Sequence, residues 1–292
     1  MQIEKKVFKK RAKTFYLASL FFPYKKRMEV ETLYNFCRLI DDIGDIKKKN
    51  QIHYLIRIKK EIQKKKTKNK IIQNFLEIKS IYKIHDKIPI NLIEGVISDL
   101  GKVDLKNIRK LLEYSYKVAG TVGIMMGKLM GVNKKMIYLH AVELGIAMQI
   151  TNICRDIKED LEMNRIYFPK TLRRFNYRSS KFLLNDKNEQ NKLSRNIVDL
   201  INISDKLYAQ AKFGIIQLPI RYKFVILSAS NLYQEIGKKI LKNPKLIWKK
   251  RVYVTIPKKI IIIFYSLYEC LFIKPQRNED TFSINYIKKK FL

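Results

Sequence analysis

Apolar residues recur at helical spacing along nearly the whole chain. The segments E-T-L-Y-N-F-C-R-L-I (31–40), I-I-Q-N-F-L-E-I (71–78), I-R-K-L-L-E-Y-S-Y-K-V-A-G (108–120) and L-H-A-V-E-L-G-I-A-M-Q-I (139–150) all carry it. No long strand-type alternation interrupts them. The 10 glycines and 7 prolines do not gather into linkers. Pro23, Pro89, Pro169, Pro219, Pro244 and Pro257 fall where helices would end or kink. The chain therefore predicts one nearly all-α domain over residues 1–292, and with 47% apolar residues it can bury a large core. Residues 47–70 read as a lysine-rich helical stretch with a solvated face. Residues 170–196, with N-D-K-N-E-Q-N-K at their centre, read as a long exposed loop or short helices.

Charge narrows the partners. Lysine and arginine outnumber aspartate and glutamate 61 to 26, for a net charge of +35. Such a surface attracts polyanions, anionic membranes and phosphorylated substrates. The excess is spread in short lysine runs and no nucleic-acid-binding module is recognisable, so specific nucleic-acid binding is not expected. Cys37, Cys154 and Cys270 lie far apart, without metal-ligand or redox spacing, as in a cytoplasmic protein with reduced thiols. A basic N-terminus precedes T-F-Y-L-A-S-L-F-F, but no convincing cleavage site follows, and the segment reads as mature helix. The apolar run Ile260–Ile273 is interrupted by Glu269 and reads as a core helix with room for one face on a bilayer.

Against this basic background, acidic residues are concentrated in two places. In R-L-I-D-D-I-G-D (38–45), Tyr34, Arg38, Asp41 and Asp45 are spaced 4, 3 and 4, and so fall within about 60° on one helix face. Asp42 sits beside that face. Like charges four apart destabilise a helix, and a carboxylate buried without a partner costs several kcal/mol. The arrangement becomes tolerable if cations bind there, and Mg²⁺ suits carboxylates that share it with phosphate oxygens. Arg38 stands where it would grip the same phosphate. In L-G-I-A-M-Q-I-T-N-I-C-R-D-I-K-E-D (144–160), Gln149, Asn152, Asp156 and Asp160 fall within about 80° of one another on an ideal helix. Arg155 adjoins Asp156. Two such faces opposed across a cavity would hold metal ions and a diphosphate, favouring its departure by Lewis-acid catalysis.

These blocks carry a family resemblance. With K-T-F-Y-L-A-S-L-F-F-P, Y-S-Y-K-V-A-G-T-V-G, N-R-I-Y-F-P and a weaker L-P-I-R-Y-K-F-V-I-L-S-A-S-N-L-Y-Q-E-I-G followed by R-V-Y-V, the chain resembles the squalene/phytoene synthases from about residue 10 to about residue 255. The resemblance implies an all-α isoprenoid synthase bundle around a central cavity. It implies that Asp41, Asp42, Asp45, Asp156 and Asp160 hold Mg²⁺, with Mn²⁺ as an alternative, and that Arg38, Arg155, Arg165 and Arg251 bind diphosphate. It places Gln149 and Asn152 where two substrates meet, Tyr34, Tyr167 and Tyr233 at the cavity or its phosphate end, and Val118 and Ala119 at the edge of a chain tunnel. The implied reaction joins two prenyl diphosphates head to head. The blocks look most like those of bacterial phytoene synthases, which act on geranylgeranyl diphosphate without NADPH. The alternative is a squalene-type enzyme acting on farnesyl diphosphate. A non-catalytic relative that helps assembly is disfavoured, because all five aspartates are kept. Peripheral contact with the inner face of an anionic membrane is expected, and a monomer is compatible with the chain. Ala12, where the family often has Ser, and Gly44 depart from the pattern without removing a metal ligand.

The remaining candidates read more plainly. His53, His85 and His140 lack partners at ligand or triad spacing and read as surface or satisfied core residues. Gly120, Gly123 and Gly127 follow no strand, so close helix packing fits them better than a phosphate loop. Met125, Met126 and Met148 read as core filler or an adaptable tunnel wall.

Overall fold

A computed structural model describes residues 19–45, 50–103, 105–272, 286, 287 and 289. The expected N-terminal helix and most of K-T-F-Y-L-A-S-L-F-F-P lie outside the described residues. All regular structure among the described residues is helical. The helices are α1 (Tyr24–Asp45), α2 (Gln51–Lys64), α3 (Lys70–Ile81), α4 (Lys87–Ser98), α5 (Ile108–Ser115), α6 (Thr121–Leu129), α7 (Lys135–Arg155), α8 (Ile157–Glu162), α9 (Ser180–Asn185), α10 (Lys187–Ile215), α11 (Ile220–Lys242), α12 (Leu246–Lys249) and α13 (Ile256–Phe272).

Two apolar cores organise them. One gathers α1 to α4 with α6 and the start of α11, around Phe36, Phe75, Leu92 and Met125. The rings of Phe36 and Phe75 stack 3.7 Å apart at its centre. The other surrounds α7 and α10, which pack along most of their length through Ile146, Ile150, Leu200 and Tyr208. Thr151 and Tyr208, both buried, satisfy each other there through their hydroxyls at 3.1 Å.

The polar run over 170–196 differs from the expected loop. A 3₁₀ turn (Lys170–Leu172) and α9 occupy its first part, and the 29-residue α10 starts inside the N-D-K-N-E-Q-N-K segment. Asp186 is the reason: its side chain accepts from the backbone N–H of Asn188 and Glu189, capping the helix. Polar residues then continue into the helix because several are buried with partners: Glu189 accepts from the Asn176 N–H at 2.6 Å and Asn196 from the Arg174 N–H at 2.7 Å. Asn69 and Asn107 cap α3 and α5 in the same way.

A second difference positions the cavity wall. Residues Tyr116–Gly120 form a π-helical turn between α5 and α6 rather than continuing the α-helix. This turn packs on α7, where Gly145 leaves no room for a side chain: a Cβ there would strike the carbonyl oxygen of Ala119. A Cβ on Gly123 would likewise strike the carbonyl oxygen of Ala141. The glycines thus serve close helix packing, as expected, and bring Val118 and Ala119 to the cavity. Overpacking against backbone costs about 1–3 kcal/mol. Gly123→Ala is therefore expected to lower the melting temperature by roughly 2–10 °C, read by thermal circular dichroism; an unchanged melting temperature would contradict the close contact.

Candidate active site

Between the two cores lies a hollow. Its walls come from α1, α6, α7, α10 and α11, and are largely apolar: Val122, Met126, Leu144, Met148, Ile215 and Ile226 all face it. Tyr233 faces it from α11, and Val118 and Ala119 from the π turn. Met126 and Met148 thus belong to the wall, whereas Met125 is core. Asp41, Val118, Gln149 and Asn152 also border a second, polar cleft, so cleft and apolar pocket adjoin across these four residues.

The polar cleft is where the two acidic stretches meet. It is lined by Asp41, Asp45, Asp156 and Asp160, with Arg38, Arg155, Arg165 and Arg251 around them. Arg165 ties the two walls together: Nη1 lies 3.1 Å from Asp45 Oδ1 and Nη2 donates to the carbonyl of Gly44 at 2.9 Å. Asp156 is gripped by two guanidinium groups. Arg155 reaches its two oxygens at 2.7 and 2.5 Å, and Arg251, from the segment after α12, reaches both at 3.0 Å. Tyr167 lines the cleft and stacks on Tyr114 with ring centroids 4.8 Å apart. Asp42 and Tyr34 do not line the cleft. Asp42 accepts an ion-paired hydrogen bond from Arg38, and Tyr34 lies close enough to Arg38 to act on its charge.

The second stretch is not one straight helix. α7 ends at Arg155, and Asp156 leaves helical geometry at φ −103° and ψ 16° before α8 begins. Hydrogen bonding nonetheless runs on, from Asp156 N to Asn152 O at 2.9 Å and from Asp160 N to Asp156 O at 2.8 Å. Asn152, Asp156 and Asp160 therefore stay on one side of a bend rather than on one ideal face. The adjacent Arg155–Asp156 pair sits at the bend itself.

Sequence reasoning missed Asp99, Tyr114 and Glu159, which also line the cleft. Asp99 follows the last turn of α4 and accepts from the Tyr114 hydroxyl at 2.8 Å. A lone aspartate at a helix end carries no spacing signal. Glu159 stands in the E-D pair beside Asp160, but off the stripe.

This concentration of acid shifts several carboxyl groups. Burial, opposed by Arg38 but reinforced by Asp45, Asp42 and Asp99, pushes Asp41 up to about 7. Burial and then Asp156 push Asp160 up to about 8. Burial pushes Asp99 up to about 6, against hydrogen bonds from Tyr114 and Tyr167. A cation between these groups would relieve all three effects. Among the described residues no three carboxylate, histidine or cysteine side chains converge on one ready-made metal centre. The donors fit a shared site instead. Asn152 Oδ1 and Glu159 Oε2 are buried with no hydrogen-bond partner. Mg²⁺ typically takes one or two carboxylates and completes its shell with phosphate oxygens and water.

The family model for squalene/phytoene synthase matches residues 8–258. The chain belongs to the squalene/phytoene synthase family. It is 29% identical over 265 residues to the 15-cis-phytoene synthase of Enterobacter agglomerans, covering 86% of this chain and 90% of that one. The 15-cis-phytoene synthase of Synechocystis is also 29% identical, over 86% of this chain and 80% of its own length. A crystal structure of a dehydrosqualene synthase in complex with ligand superposes with a TM-score of 0.79 at 26% identity, covering 91% of this chain and 94% of the other. Squalene synthase HpnC from Alicyclobacillus acidocaldarius, at 18% identity and a TM-score of 0.68 over 85% of this chain and 94% of its own, shares the fold. The all-α isoprenoid synthase architecture is thus that of the family, whose members are prenyl-transferring synthases.

The raised carboxyl groups set a pH dependence. Asp41 and Asp160 hold a proton more tightly in the folded protein than at the ordinary value of 3.8. Their contribution to stability is fully present below that value and is lost as pH rises through about 7 and 8. Asp160→Asn is expected to raise the melting temperature of the metal-free protein at pH 8, by roughly 2–4 °C for each kcal/mol relieved, and to change it less at pH 5. A variant that melts below the parent at pH 8 would show that Asp160 is not repelled there.

Proposed function

We propose that the protein is a phytoene synthase, joining two geranylgeranyl diphosphates head to head through a cyclopropyl (prephytoene) diphosphate. The observation that carries this reading is the adjacency of the acidic, arginine-rimmed cleft and the apolar pocket, which share Asp41, Val118, Gln149 and Asn152 as walls. A molecule with a diphosphate head and a hydrocarbon tail matches the two. The phytoene synthases at 29% identity over most of the chain support the choice of product.

Asp41, Asp45, Asp156 and Asp160, with Asn152, would hold Mg²⁺, or Mn²⁺ in its place. Bound there, the metal supplies Lewis-acid stabilisation of the departing diphosphate. Arg38, Arg155, Arg165 and Arg251 would exchange their carboxylate partners for phosphate oxygens, which they can grip in the same forked geometry. The C1–O bond of one substrate breaks, and the bonding pair leaves with the diphosphate. The double bond of the second substrate attacks the allylic C1, and loss of a proton closes the cyclopropane. The second diphosphate then leaves, the skeleton rearranges, and a further proton is lost. Two diphosphates and two protons are released for each hydrocarbon. Gln149, Asn152 and Tyr233 stand where the tails enter the apolar pocket, and Tyr34 supports Arg38. No hydride is needed, so NADPH has no part in this reading. A squalene-type reaction on farnesyl diphosphate is the second reading, favoured by the likeness to a dehydrosqualene synthase.

Incubation with Mg²⁺ and either C20 or C15 diphosphate, with and without NADPH, separates the readings by the hydrocarbon formed. Phytoene from the C20 substrate without NADPH is expected; absence of any hydrocarbon from either substrate would overturn the assignment. Asp41→Ala and Asp156→Ala are each expected to lower turnover by ~10²–10³-fold or more while far-UV circular dichroism stays that of the parent. Substantial residual turnover would contradict the metal assignment.

A membrane surface is the partner we propose for α13. The helix is oriented with its polar groups inward. Glu269 and Ser266 are buried, Asn231 of α11 donates to both at 2.8 and 3.0 Å, and Lys212 pairs with Glu269. Ile261, Phe264, Tyr268, Leu271 and Phe272 are consequently left exposed, each by half or more. Exposed Phe21, its ring 5.0 Å from that of Phe224, extends the patch, and the exposed cations Lys25 and Arg221 flank it. Apolar insertion with basic flanks fits an anionic lipid surface. The helix does not cross the bilayer in this reading: among the described residues only α7 is long and apolar enough to span one, and it is built into the core. The proposal has the chain working in the cytoplasm, peripheral to the inner membrane face, and is compatible with a monomer. Phe264→Asp with Leu271→Asp is expected to abolish sedimentation with phosphatidylglycerol vesicles at low salt; failure of the parent itself to sediment would dismiss the idea.

A further inference from the structure

The apolar pocket carries one polar side chain far from its acidic mouth. His140 lines it, and its Nδ1 lies 2.8 Å from Oε2 of Glu143, one turn along α7. Glu143 is fully buried, and its other oxygen has no hydrogen-bond partner. A half-satisfied carboxyl group is costly in such a place. His140 is also fixed from the α10 side: a Cβ on Gly214 would run into the His140 Cβ, and the Phe213 ring lies 6.3 Å from the imidazole. His53 and His85 are exposed surface histidines, and His140 is a half-buried histidine satisfied by Glu143 that also faces the pocket.

The depth of His140 can be read along α7. It lies nine residues from Gln149 and twelve from Asn152, both at the mouth, which at the rise of an α-helix is roughly 14–18 Å. An extended single-bonded chain advances ~1.2 Å per bond, as an extended polypeptide does. The main chain of a C15 prenyl group therefore reaches ~13 Å from its C1, and that of a C20 group ~18 Å. Three isoprene units end before His140 or at it; the fourth comes to lie alongside it. Ile137 and Leu218 continue the wall beyond.

We infer that the His140–Glu143 pair is a chain-length determinant, a rigid stretch of wall that the fourth isoprene unit of a C20 chain must pass and a C15 chain does not. This rests on the prenyl diphosphate reading above. Glu143 acts as a positioning residue: it holds the imidazole ring, and the ring together with Gly214 sets the width of the pocket at that depth. The competing role is helix pairing alone, in which the pair joins α7 to α10 and is indifferent to the tail.

Removing the imidazole alone would leave the Glu143 carboxyl group without its partner, so each change at His140 is combined with Glu143→Leu. His140→Trp with Glu143→Leu narrows the wall, and His140→Ala with Glu143→Leu widens it. Two quantities are compared with the parent: kcat/KM for C15, C20 and C25 diphosphates, and equilibrium affinity for their unreactive S-thiolodiphosphate analogues. Narrowing is expected to lower the C20-to-C15 ratio at least ~10-fold, and widening to raise the C25-to-C20 ratio by a similar factor. The single change Glu143→Leu, which removes the ring's hydrogen-bond partner at similar side-chain size, is expected to move the same ratios and carries the comparison if the double variants do not fold. Ratios that shift less than ~twofold in variants with the parent's circular dichroism and melting temperature would overturn the inference and leave helix pairing. A parent protein that binds no analogue and forms no hydrocarbon would overturn the prenyl diphosphate reading and this one with it.

Discussion

Carboxylates of like charge are held together here in a half-buried cleft, which is unfavourable until a cation arrives. Asp41 and Asp160 show the cost directly, with their carboxyl groups pushed to about 7 and 8. The scaffold must therefore be stable for other reasons and impose the cleft on its carboxylates. Those reasons are the two apolar cores and the long α7–α10 contact. Arginines moderate the strain in the meantime. Arg155 and Arg251 share Asp156, and Arg165 reaches across to Asp45. The same arginines can turn to a phosphate when one is present. The arginines thus offset part of the acidic charge without a ligand, and both signs are supplied by groups able to exchange partners.

Because α7 is both core helix and cavity wall, packing and binding are coupled through it. Its buried side carries Ile146, Ile150 and Ile153, and its other side carries Gln149, Asn152 and, further down, His140. Gly145 lets the π turn approach, which brings Val118 and Ala119 to the pocket. A single methyl group there would act on the fold and on the tunnel at once.

Much of this was legible in the sequence, for a definite reason. Helical periodicity survives in any order of helices, and carboxylates in an apolar run are too costly to be there without a use. The two acid stripes with Arg38 and Arg155 beside them could therefore be read from spacing, and the glycine packing from the lack of a preceding strand, while Arg165 and Arg251 came with the family resemblance. What could not be read depends on contacts between segments distant in the chain. Asp99 is a lone acid whose role comes from Tyr114 and from facing Asp45 and Asp160. The bend at Asp156 follows from no change in local spacing, and the polar start of α10 becomes helix because Asp186 caps it.

α13 shows the same limit from the other direction. Glu269 interrupts an apolar run that reads as a core helix with room for one face on a bilayer, and the sequence does not say on which side the acid lies. In the fold it is the buried side, because Asn231 and Lys212 lie beneath it with polar groups to offer. One inward acid thus sets the orientation of the whole run. The apolar residues are outside because the helix is anchored through its polar ones. Beneath the anchor, Cys270 packs with Ile215 and Leu227, and against them lie Leu144 and Ile226 of the pocket wall. α13 is thus packed, through Cys270, directly onto side chains that line the apolar pocket on their other side.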